Sequence, residues 1–442
     1  MTRLFSARMS FGLFDPQSDY PEWSALGAKD VLSPAHIANA RGVAQRSILM
    51  LKNDNATLPL PSTVRRIAVI GWGANDTYAA LGNYMGCGHS AWGPRLTNCS
   101  IVTPLVGLRA HYAKEGVEIV YARGCDVESS DTSGFAAAVS AAKGADAVIY
   151  VGGNRNCEGG QGKGGAHCES EGHDRPDVAM PGVQTELIQA LAKVNEKVIV
   201  ALLTGSVIGV EWEAKNVGAI VVIWYGGTTM GDALADVVSG AVSPSARSPL
   251  TWYANATQLP TSELDISLLA APGRTYRHFT QTPLFAFGFG LGYAKFGYTN
   301  AVLTPNAISA NGAAGGATIC VDVKHLAASA WSKRGAGSKA EEVVEVYAIP
   351  PQSAVAAADA APKVMLIGFT RTAPLAAGAA AARVCIALSA DSLRMVVKGK
   401  DAAVLPGKYE VTIGGRGPNA LGTYVHEDAV AAPLTVEWIV QA

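Results

Sequence analysis

The sequence predicts an α/β domain followed by an antiparallel β-sandwich. Three observations support this prediction. Apolar runs of strand length alternate with helix-like segments from residue 64 to about 290, a period-two apolar pattern follows, and no stretch approaches the 18 apolar residues of a membrane-spanning helix. We therefore expect a connector over residues 1–63, an α/β sandwich over 64–290 and a β-sandwich over 291–442.

Length and charge indicate a multidomain globular protein without a strong overall field. The chain has 442 residues, 49% of them apolar, and 35 basic against 36 acidic residues give a formal net charge of −1. This length exceeds one ordinary hydrophobic core. Because a charge near zero does not attract polyanions, we expect a neutral small molecule or polymer as partner, with no nucleic acid and no membrane.

The predicted α/β domain is defined by its alternating segments. Buried strands are indicated by "RRIAVIGWG", "GVEIVYARG", "DAVIYVGG", "KVIVALLTG" and "VGAIVVIWYGG", and helices by "GFAAAVSAAKGA", "VQTELIQALAKVN" and "TMGDALADVVSG". This alternation is typical of a largely parallel sheet with helices on both faces. Within the connector, "SPAHIANARGVAQRSILMLKN" predicts one helix that Ser33 caps, with Pro34 at its first position.

The C-terminal region changes to strict alternation of apolar and polar residues. The pattern occurs in "TICVDVKH", "EEVVEVYAI", "RVCIALS" and "KYEVTIGG", with no convincing long helix between them. Two alanine-rich stretches, 354–361 and 376–382, lack an amphipathic stripe. We therefore interpret both as expanded loops of a β-sandwich.

Cysteines and glycosylation sequons bear on metal binding and on cellular location. Seven cysteines without CxxC spacing predict no zinc site and no other metal. Cys157 and Cys168 bracket a glycine-rich segment, so they form either a local disulfide or two free buried thiols. Four sequons, at Asn55, Asn75, Asn98 and Asn255, favour secretion, whereas the N-terminus has no recognisable signal peptide.

The strand-to-glycine segment "IAVIGWGAND" raises the possibility of a dinucleotide site. The fingerprint requires G-x-G-x-x-G before a helix, but here Gly71 and Gly73 are followed by Asp76, whose carboxylate would repel phosphate. We interpret the glycines as residues that let the strand end turn sharply.

An acidic loop, "HCESEGHDRPDVAMPGVQ" at 167–184, is the better candidate for a functional site. It follows a predicted strand, and ligand crevices of open α/β sheets lie at the carboxyl ends of strands. Glu169 and Glu171 share one side of an extended loop, and Asp174 and Arg175 can form a bracing charge pair. A carboxyl kept protonated by burial or by a like-charged neighbour can act as a general acid. A solvated surface loop explains the same spacing.

Ordered motifs extend along nearly all of the chain. They are E-x-E-x-x-D-R with P-G-x-Q at 169–184, "RSILMLKNDNATLPLP" at 47–62, "LGNYMG" at 81–86, "GCDVESSDTSGFAAAV" at 124–139, "SPSARSPLTWY" at 243–253, "GRTYRHF" at 273–279 and "GFTRTAPLAAG" at 368–378. With them the chain resembles the C-terminal two-thirds of family 3 glycoside hydrolases, most closely the β-xylosidase and α-arabinofuranosidase branch. The last motif resembles the family's fibronectin-III-like domain.

The resemblance implies a retaining exo-glycosidase that acts on β-xylosides in hemicellulose breakdown. In that family an N-terminal (β/α)8 barrel carries an aspartate nucleophile, and the α/β sandwich supplies the acid/base glutamate. Because "ARMSFGLFDP" at 7–16 resembles the end of the barrel, we expect the acid/base half without the nucleophile. Glu169 is the expected acid/base and Glu171 the alternative, with Asp174 and Arg175 shaping the loop and binding substrate.

The resemblance also implies partners and a location. The expected partners are a carbohydrate substrate, either a xylo-oligosaccharide or an aryl or alkyl xyloside, and the missing N-terminal barrel domain. No cofactor is implied. A full-length member of the family is expected to be extracellular.

Some features depart from the family pattern. Phe289 stands where the family's F-G-H-G-L turn often has histidine, and a glycine-rich insertion after Gly153 adds Glu158 as a weaker acid/base candidate. "QSDY" superficially resembles the S-D-W nucleophile motif, and we interpret its Asp19 as a coincidence. A non-catalytic carbohydrate-binding or scaffold protein derived from such an enzyme stays as the alternative.

Overall fold

The structure is a computed structural model that describes residues 1–82, 100–157, 168–260, 265–310, 316–327, 331, 338–418, 422–423 and 430–441. An α/β domain precedes a β-sandwich, as the sequence predicted. Up to residue 290 the helices are α1 Thr2–Ser10, α2 Pro21–Ser24, α3 Pro34–Ser47, α4 Pro104–Tyr112, α5 Phe135–Ala142, α6 Gln184–Ala192, α7 Glu211–Asn216, α8 Met230–Ser239 and α9 Thr275–His278. The strands are β1 Leu49–Asn53, β2 Arg66–Ile70, β3 Glu118–Ala122, β4 Ala147–Gly153, β5 Val198–Leu203 and β6 Ala219–Val222.

These six strands form one sheet in the order β1-β6-β5-β4-β2-β3. Strands β2 to β6 are parallel, and β1 pairs antiparallel with β6 at one edge. Side chains of β5 alternate between two buried apolar clusters, one covered by α3, α4 and α8 and the other by α5, α6 and α7. The prediction of a mostly parallel sheet with helices on both faces is confirmed.

The helix that the sequence predicts in the connector is shorter in the structure, because its last residues form a strand. Helix α3 begins as expected, because the Ser33 hydroxyl accepts a hydrogen bond from the His36 amide at 3.3 Å, but it ends at Ser47. Residues 49–53 instead form β1, in which Leu49 pairs with Val222. Strand β1 is buried against the sheet, so tertiary packing overrides the helical pattern. Part of the predicted connector thus belongs to the α/β sheet.

The C-terminal unit is a β-sandwich whose two main sheets enclose one apolar cluster. One sheet has the order β12-β11-β17-β18-β8 and the other β14-β9-β7. The strands are β7 Lys295–Thr304, β8 Ala307–Ser309, β9 Gly316–Leu326, β10 Lys339–Ala340, β11 Val343–Ile349, β12 Met365–Arg371, β13 Leu375–Ala376, β14 Ala382–Ser389, β15 Met395–Val396, β16 Ala402–Ala403, β17 Gly407–Gly414 and β18 Leu434–Gln441. The predicted β-sandwich is confirmed.

One alanine-rich stretch is not the loop that the sequence predicted. Residues Gln352–Ala357 form the short helix α10, and Ala354 and Ala358 are buried in the sandwich core. The buried residues of this segment are alanines, which is consistent with the absence of an amphipathic stripe of large residues.

The glycines after β2 pack tightly against the neighbouring strand. A Cβ on Gly71, whose φ is +120°, would lie 2.1 Å from the Val151 carbonyl oxygen, and one on Gly73 would overlap the Leu203 side chain. The segment Trp72–Asn75 is a short 3₁₀ turn with a buried tryptophan. These contacts account for both glycines without a bound nucleotide.

Two disulfides cross-link the described residues. Cys157 and Cys168 are joined, so the local disulfide is the correct one of the two alternatives left open by the sequence. Cys320 on β9 is joined to Cys385 on β14, a pairing that the sequence did not predict. Cys125 is a free buried thiol, and burial raises its pKa to about 11.

No helix among the described residues combines the length and apolar character needed to cross a lipid bilayer.

Candidate active site

The candidate site lies at the carboxyl edge of the parallel sheet, where β4, β5 and β6 end side by side. Residues 204–206 follow β5, and Tyr225 follows β6 at the next position along the edge. Gly153 ends β4 with φ +120°, and a Cβ there would lie 2.4 Å from the Leu203 carbonyl oxygen. Only glycine therefore lets β4 turn here and deliver the acidic loop to this edge.

The start of the acidic loop is fixed to the chain that leaves β4. Asn156 and Glu169 form a parallel β-bridge, with the Glu169 amide donating to Arg155 O at 3.0 Å and the Cys157 amide donating to Glu169 O at 3.1 Å. The Asn156 side chain also donates to Glu169 O at 2.9 Å. Together with the Cys157–Cys168 disulfide, these bonds hold the backbone of Glu169 in one place.

The Glu169 carboxylate is surrounded by hydrogen-bond donors. It accepts from the Gly205 amide at 2.7 Å and the Tyr225 hydroxyl at 2.6 Å, and Ser206 Oγ donates to its other oxygen in a short bond. Thr204 Oγ1 lies 3.4 Å and Arg175 Nη1 3.5 Å from Oε1. Only 15% of the side chain is exposed.

These donors favour the ionised form of Glu169. Burial raises the pKa of this carboxyl. The hydrogen bonds from Ser206, Tyr225 and Gly205 and the charge of Arg175 lower it by more, so the net pKa lies below its ordinary value. Burial and the neighbouring carboxylate raise the pKa of Tyr225, so its hydroxyl stays a donor. A general acid needs a raised pKa, and Glu169 has the opposite environment.

Glu171 lies in a different environment two residues further on. It is exposed at the tip of the loop and lines a cleft of about 1150 Å³ that the loop shares with residues 205–207 and Tyr225. Asp174 is also exposed and lines this cleft. Both predicted glutamates therefore line the same cleft, Glu169 mostly buried and Glu171 exposed.

The predicted Asp174–Arg175 charge pair is not formed. Arg175 turns inward, with 6% of its side chain exposed, and donates to Val207 O at 3.0 Å and Ala179 O at 2.8 Å. Arg175 forms its ion pair with Glu169. The two mostly buried side chains thereby neutralise each other's charge. Arg175 thus braces the loop from below.

Gln184 is a structural residue that the sequence analysis treated only as part of a motif. Its side-chain oxygen accepts from Tyr150 OH at 2.8 Å, the Gly153 amide at 2.7 Å and Trp72 Nε1 at 3.1 Å. Its amide donates to the carbonyl oxygens of Val127, Gly153 and Pro181 at 2.8, 2.8 and 3.0 Å. These bonds use all of its bonding capacity and join the end of β4 to the acidic loop and to the segments that follow β2 and β3.

The outer wall of the cleft comes from a distant part of the chain. It contains the apolar or aromatic side chains of Leu250, Tyr253, Leu259 and Pro260, and also Arg274. No local pattern in the sequence connects this wall to the acidic loop, so the sequence alone does not predict it. Glu158, the weaker acid/base candidate, lies outside the described residues.

The site and fold match known proteins over nearly the whole chain. Residues 48–293 match the Glycosyl hydrolase family 3 C-terminal domain, and residues 342–416 match the Fibronectin type III-like domain. A β-xylosidase of Formosa agariphila is 33% identical over 421 residues, which is 93% of this chain and 52% of that protein.

Solved structures extend the similarity to two sugar specificities. A family 3 β-glucosidase of Bifidobacterium adolescentis is 28% identical with a TM-score of 0.72, covering 97% of this chain and 57% of that one. An exo-β-xylosidase in complex with a xylobiose aziridine probe is 25% identical with a TM-score of 0.70, covering 95% and 51%. This chain spans about half the length of the curated relatives that it matches over nearly its whole length.

Proposed function

Because this chain belongs to glycoside hydrolase family 3, we propose that it supplies the acid/base half of a retaining exo-β-xylosidase. The observation that carries the proposal is the acidic loop, which places two glutamates in one large cleft at the carboxyl edge of the sheet. In a retaining mechanism one carboxyl attacks the anomeric carbon, while the other protonates the leaving oxygen and then activates water. The attacking carboxylate would come from the (β/α)8 barrel that members of this family carry N-terminal to the α/β sandwich.

Of the two glutamates, Glu171 is better suited to acid/base catalysis. Glu169 was the residue expected from the sequence, but it is bound by Ser206, Tyr225 and Gly205, which hold it ionised and fixed. Glu171 is exposed in the cleft, where a leaving oxygen can reach it. We assign Glu169 to positioning the loop and Glu171 to proton transfer.

A β-xyloside is the proposed substrate, in the form of a xylo-oligosaccharide or an aryl or alkyl xyloside. The curated relatives named β-xylosidase support xylose, whereas the β-glucosidases among the structural neighbours show that this fold also serves glucose. Breakdown of xylan would be the corresponding biological role.

A hybrid enzyme tests this proposal. Residues 1–442 replace the matching C-terminal half of the Formosa agariphila β-xylosidase, and hydrolysis of nitrophenyl β-xyloside, β-glucoside and α-arabinofuranoside is compared with that of the unaltered relative. We expect turnover, with the xyloside as the best substrate. A folded hybrid that binds xylo-oligosaccharides without cleaving any of the three would instead support the non-catalytic carbohydrate-binding alternative.

We also propose that the mature protein works outside the cell. Two disulfides among the described residues support passage through an oxidising compartment. The exposed sequons at Asn55 and Asn255 support a secretory pathway in which proteins are glycosylated. Detection of the protein only inside the source cells, with reduced cysteines, would contradict this location.

A further inference from the structure

We propose that Cys157, Cys168 and His173 form a binding site for a zinc-class divalent cation whenever their disulfide is reduced. The two Sγ atoms and a ring nitrogen of His173 all lie within 4.8 Å of one another. Two thiolates and one imidazole are ligands that zinc prefers. The sequence predicts no zinc site because these residues lack CxxC spacing, but the fold of the loop brings them together.

His173 supplies the observation that points to a ligand. Its Nε2 atom is buried and has no hydrogen-bond partner within the part of the chain that the structure describes. A buried polar atom without a partner costs about 1–3 kcal/mol, and a bound ion is one way in which that cost is offset. The His173 amide donates to Ser170 O at 3.1 Å, which holds this residue in a turn beside the two cysteines.

The distances suit a small cation after a modest adjustment. Cys157 and Cys168 have Cα atoms 4.9 Å apart, and 1% of each residue is exposed. Zinc bonds of about 2.3 Å to sulfur and about 2.0 Å to nitrogen place tetrahedral ligand atoms roughly 3.5 Å apart. The sulfurs must therefore separate once reduced, and the His173 nitrogen, within 4.8 Å of them, must approach to about 3.5 Å. A solvent molecule would complete the coordination.

The redox step balances with a phosphine as reductant. The phosphine and one water reduce the disulfide, so that the water oxygen goes to phosphorus and its two hydrogens give two thiols. Binding of Zn²⁺ then releases two protons and leaves two thiolates and the neutral imidazole as ligands.

The cation would take over the structural role of the disulfide. Cys157 follows β4, Cys168 precedes Glu169, and His173 lies on the far side of Glu171. A bound ion would therefore cross-link both ends of the segment that carries Glu171. In the reduced chain, we expect zinc to hold this segment as the disulfide does in the oxidised chain.

Cobalt(II) provides a direct test that needs no enzymatic activity. The full chain is produced in a reducing cytosol, kept reduced with a phosphine, and titrated with Co²⁺, and thiol alkylation verifies the redox state. We expect one Co²⁺ per chain with the thiolate-to-cobalt and tetrahedral d–d absorption bands, and displacement by Zn²⁺. The oxidised protein should show neither band.

Variants separate this site from the other cysteines. Cys157→Ala with Cys168→Ala should abolish the bands, and His173→Gln should weaken Co²⁺ binding at least tenfold, whereas the matched pair Cys320→Ala with Cys385→Ala should bind normally. Circular dichroism checks that each variant is folded. Equal Co²⁺ binding by the reduced wild type and the Cys157/Cys168 variant, or unchanged affinity in His173→Gln, would overturn the proposal.

Discussion

At the residue scale, the two glutamates differ in their surroundings and not in their spacing. The sequence predicted the acidic loop and its place at a strand end. It put Glu169 before Glu171 as acid/base without showing what surrounds either carboxyl. The donors that distinguish them follow other strands, at residues 204–206 and 225. Their contact with Glu169 is created by the sheet topology, which no local sequence pattern shows.

Leaving-group kinetics in the hybrid enzyme distinguish the two roles. Glu171→Gln should lower kcat/KM about 10²–10⁴-fold for an alkyl xyloside, whose departure needs protonation, and far less for a nitrophenyl xyloside. Azide should restore turnover by attacking the glycosyl-enzyme, since a small anion needs no general base. Glu169→Gln should affect both substrates to the same extent, without azide rescue.

Two results would change this assignment. If Glu169→Gln shows the leaving-group dependence and Glu171→Gln does not, the acid/base role belongs to Glu169 despite its ionised state. Small and equal losses in both variants would mean that the loop is only a solvated surface. Glu186→Gln, an exposed change on the neighbouring helix α6, is the matched control.

Gln184 should be among the most sensitive positions for stability. Gln184→Ala removes six hydrogen bonds and leaves Trp72 Nε1 and Tyr150 OH without their shared acceptor. We expect the free energy of unfolding to fall by about 3–5 kcal/mol in urea denaturation. Glu186→Ala in the same helix should change it by less than about 0.5 kcal/mol. Comparable values for the two variants would refute the structural role of Gln184.

At the scale of elements, the predictions succeeded where a segment's own pattern determines its structure. The strands and helices from β2 to α8 that the sequence predicted are present. The apolar runs of these strands and the apolar stripes of these helices are buried in the two clusters that flank the sheet. The sequence did not predict strand β1 or helix α10. Leu49 in β1 pairs with Val222 in β6, and Ala354 in α10 packs into the core of the β-sandwich. Tertiary contacts decide both cases.

The junction between the two domains contains a buried carboxyl group. Glu345 on β11 is 5% exposed and accepts from the Tyr347 hydroxyl at 3.0 Å, beneath the glycine turn at Gly288. Burial raises its pKa to about 8, although Arg247 and Tyr347 oppose this shift, while the nearby Glu342 adds to it. The carboxyl is therefore neutral in the folded protein near neutral pH.

This carboxyl should make stability depend on pH. Its folded pKa lies above the unfolded value, so its contribution is complete below about pH 4.5 and is lost as the pH rises through about 8. The loss should be on the order of a few kcal/mol between about pH 5.5 and about pH 8.5 in urea denaturation. Glu345→Gln, which stays neutral, should flatten this dependence, whereas the exposed Glu410→Gln on β17 should not. Parallel profiles for the wild type and Glu345→Gln would contradict the prediction.

At the scale of the whole molecule, the resemblance predicted more than periodicity did. Alternating segments and period-two strands predicted an α/β domain and a β-sandwich, and the ordered motifs identified the family. The departure at Phe289 has a packing explanation, since this ring is fully buried and stacks on Phe285 with centroids 5.8 Å apart. Sugar specificity could not be predicted, because relatives with this fold are named for xylose and for glucose.

Residues 1–442 should be inactive when they are assayed alone. Retaining hydrolysis needs an attacking carboxylate on the opposite face of the sugar from the acid, with the two carboxyls roughly 5–5.5 Å apart. The four carboxylates that line the cleft within the described residues, Glu169, Glu171, Asp174 and Asp177, all come from one loop. They would therefore approach a bound sugar from one side. We therefore expect no measurable hydrolysis of an aryl β-xyloside by the purified chain, and recovery when the N-terminal half of the Formosa agariphila relative is fused to it. Turnover by the chain alone that survives Glu171→Gln would show that its catalytic groups lie elsewhere. Turnover that Glu171→Gln abolishes would place the nucleophile within these 442 residues.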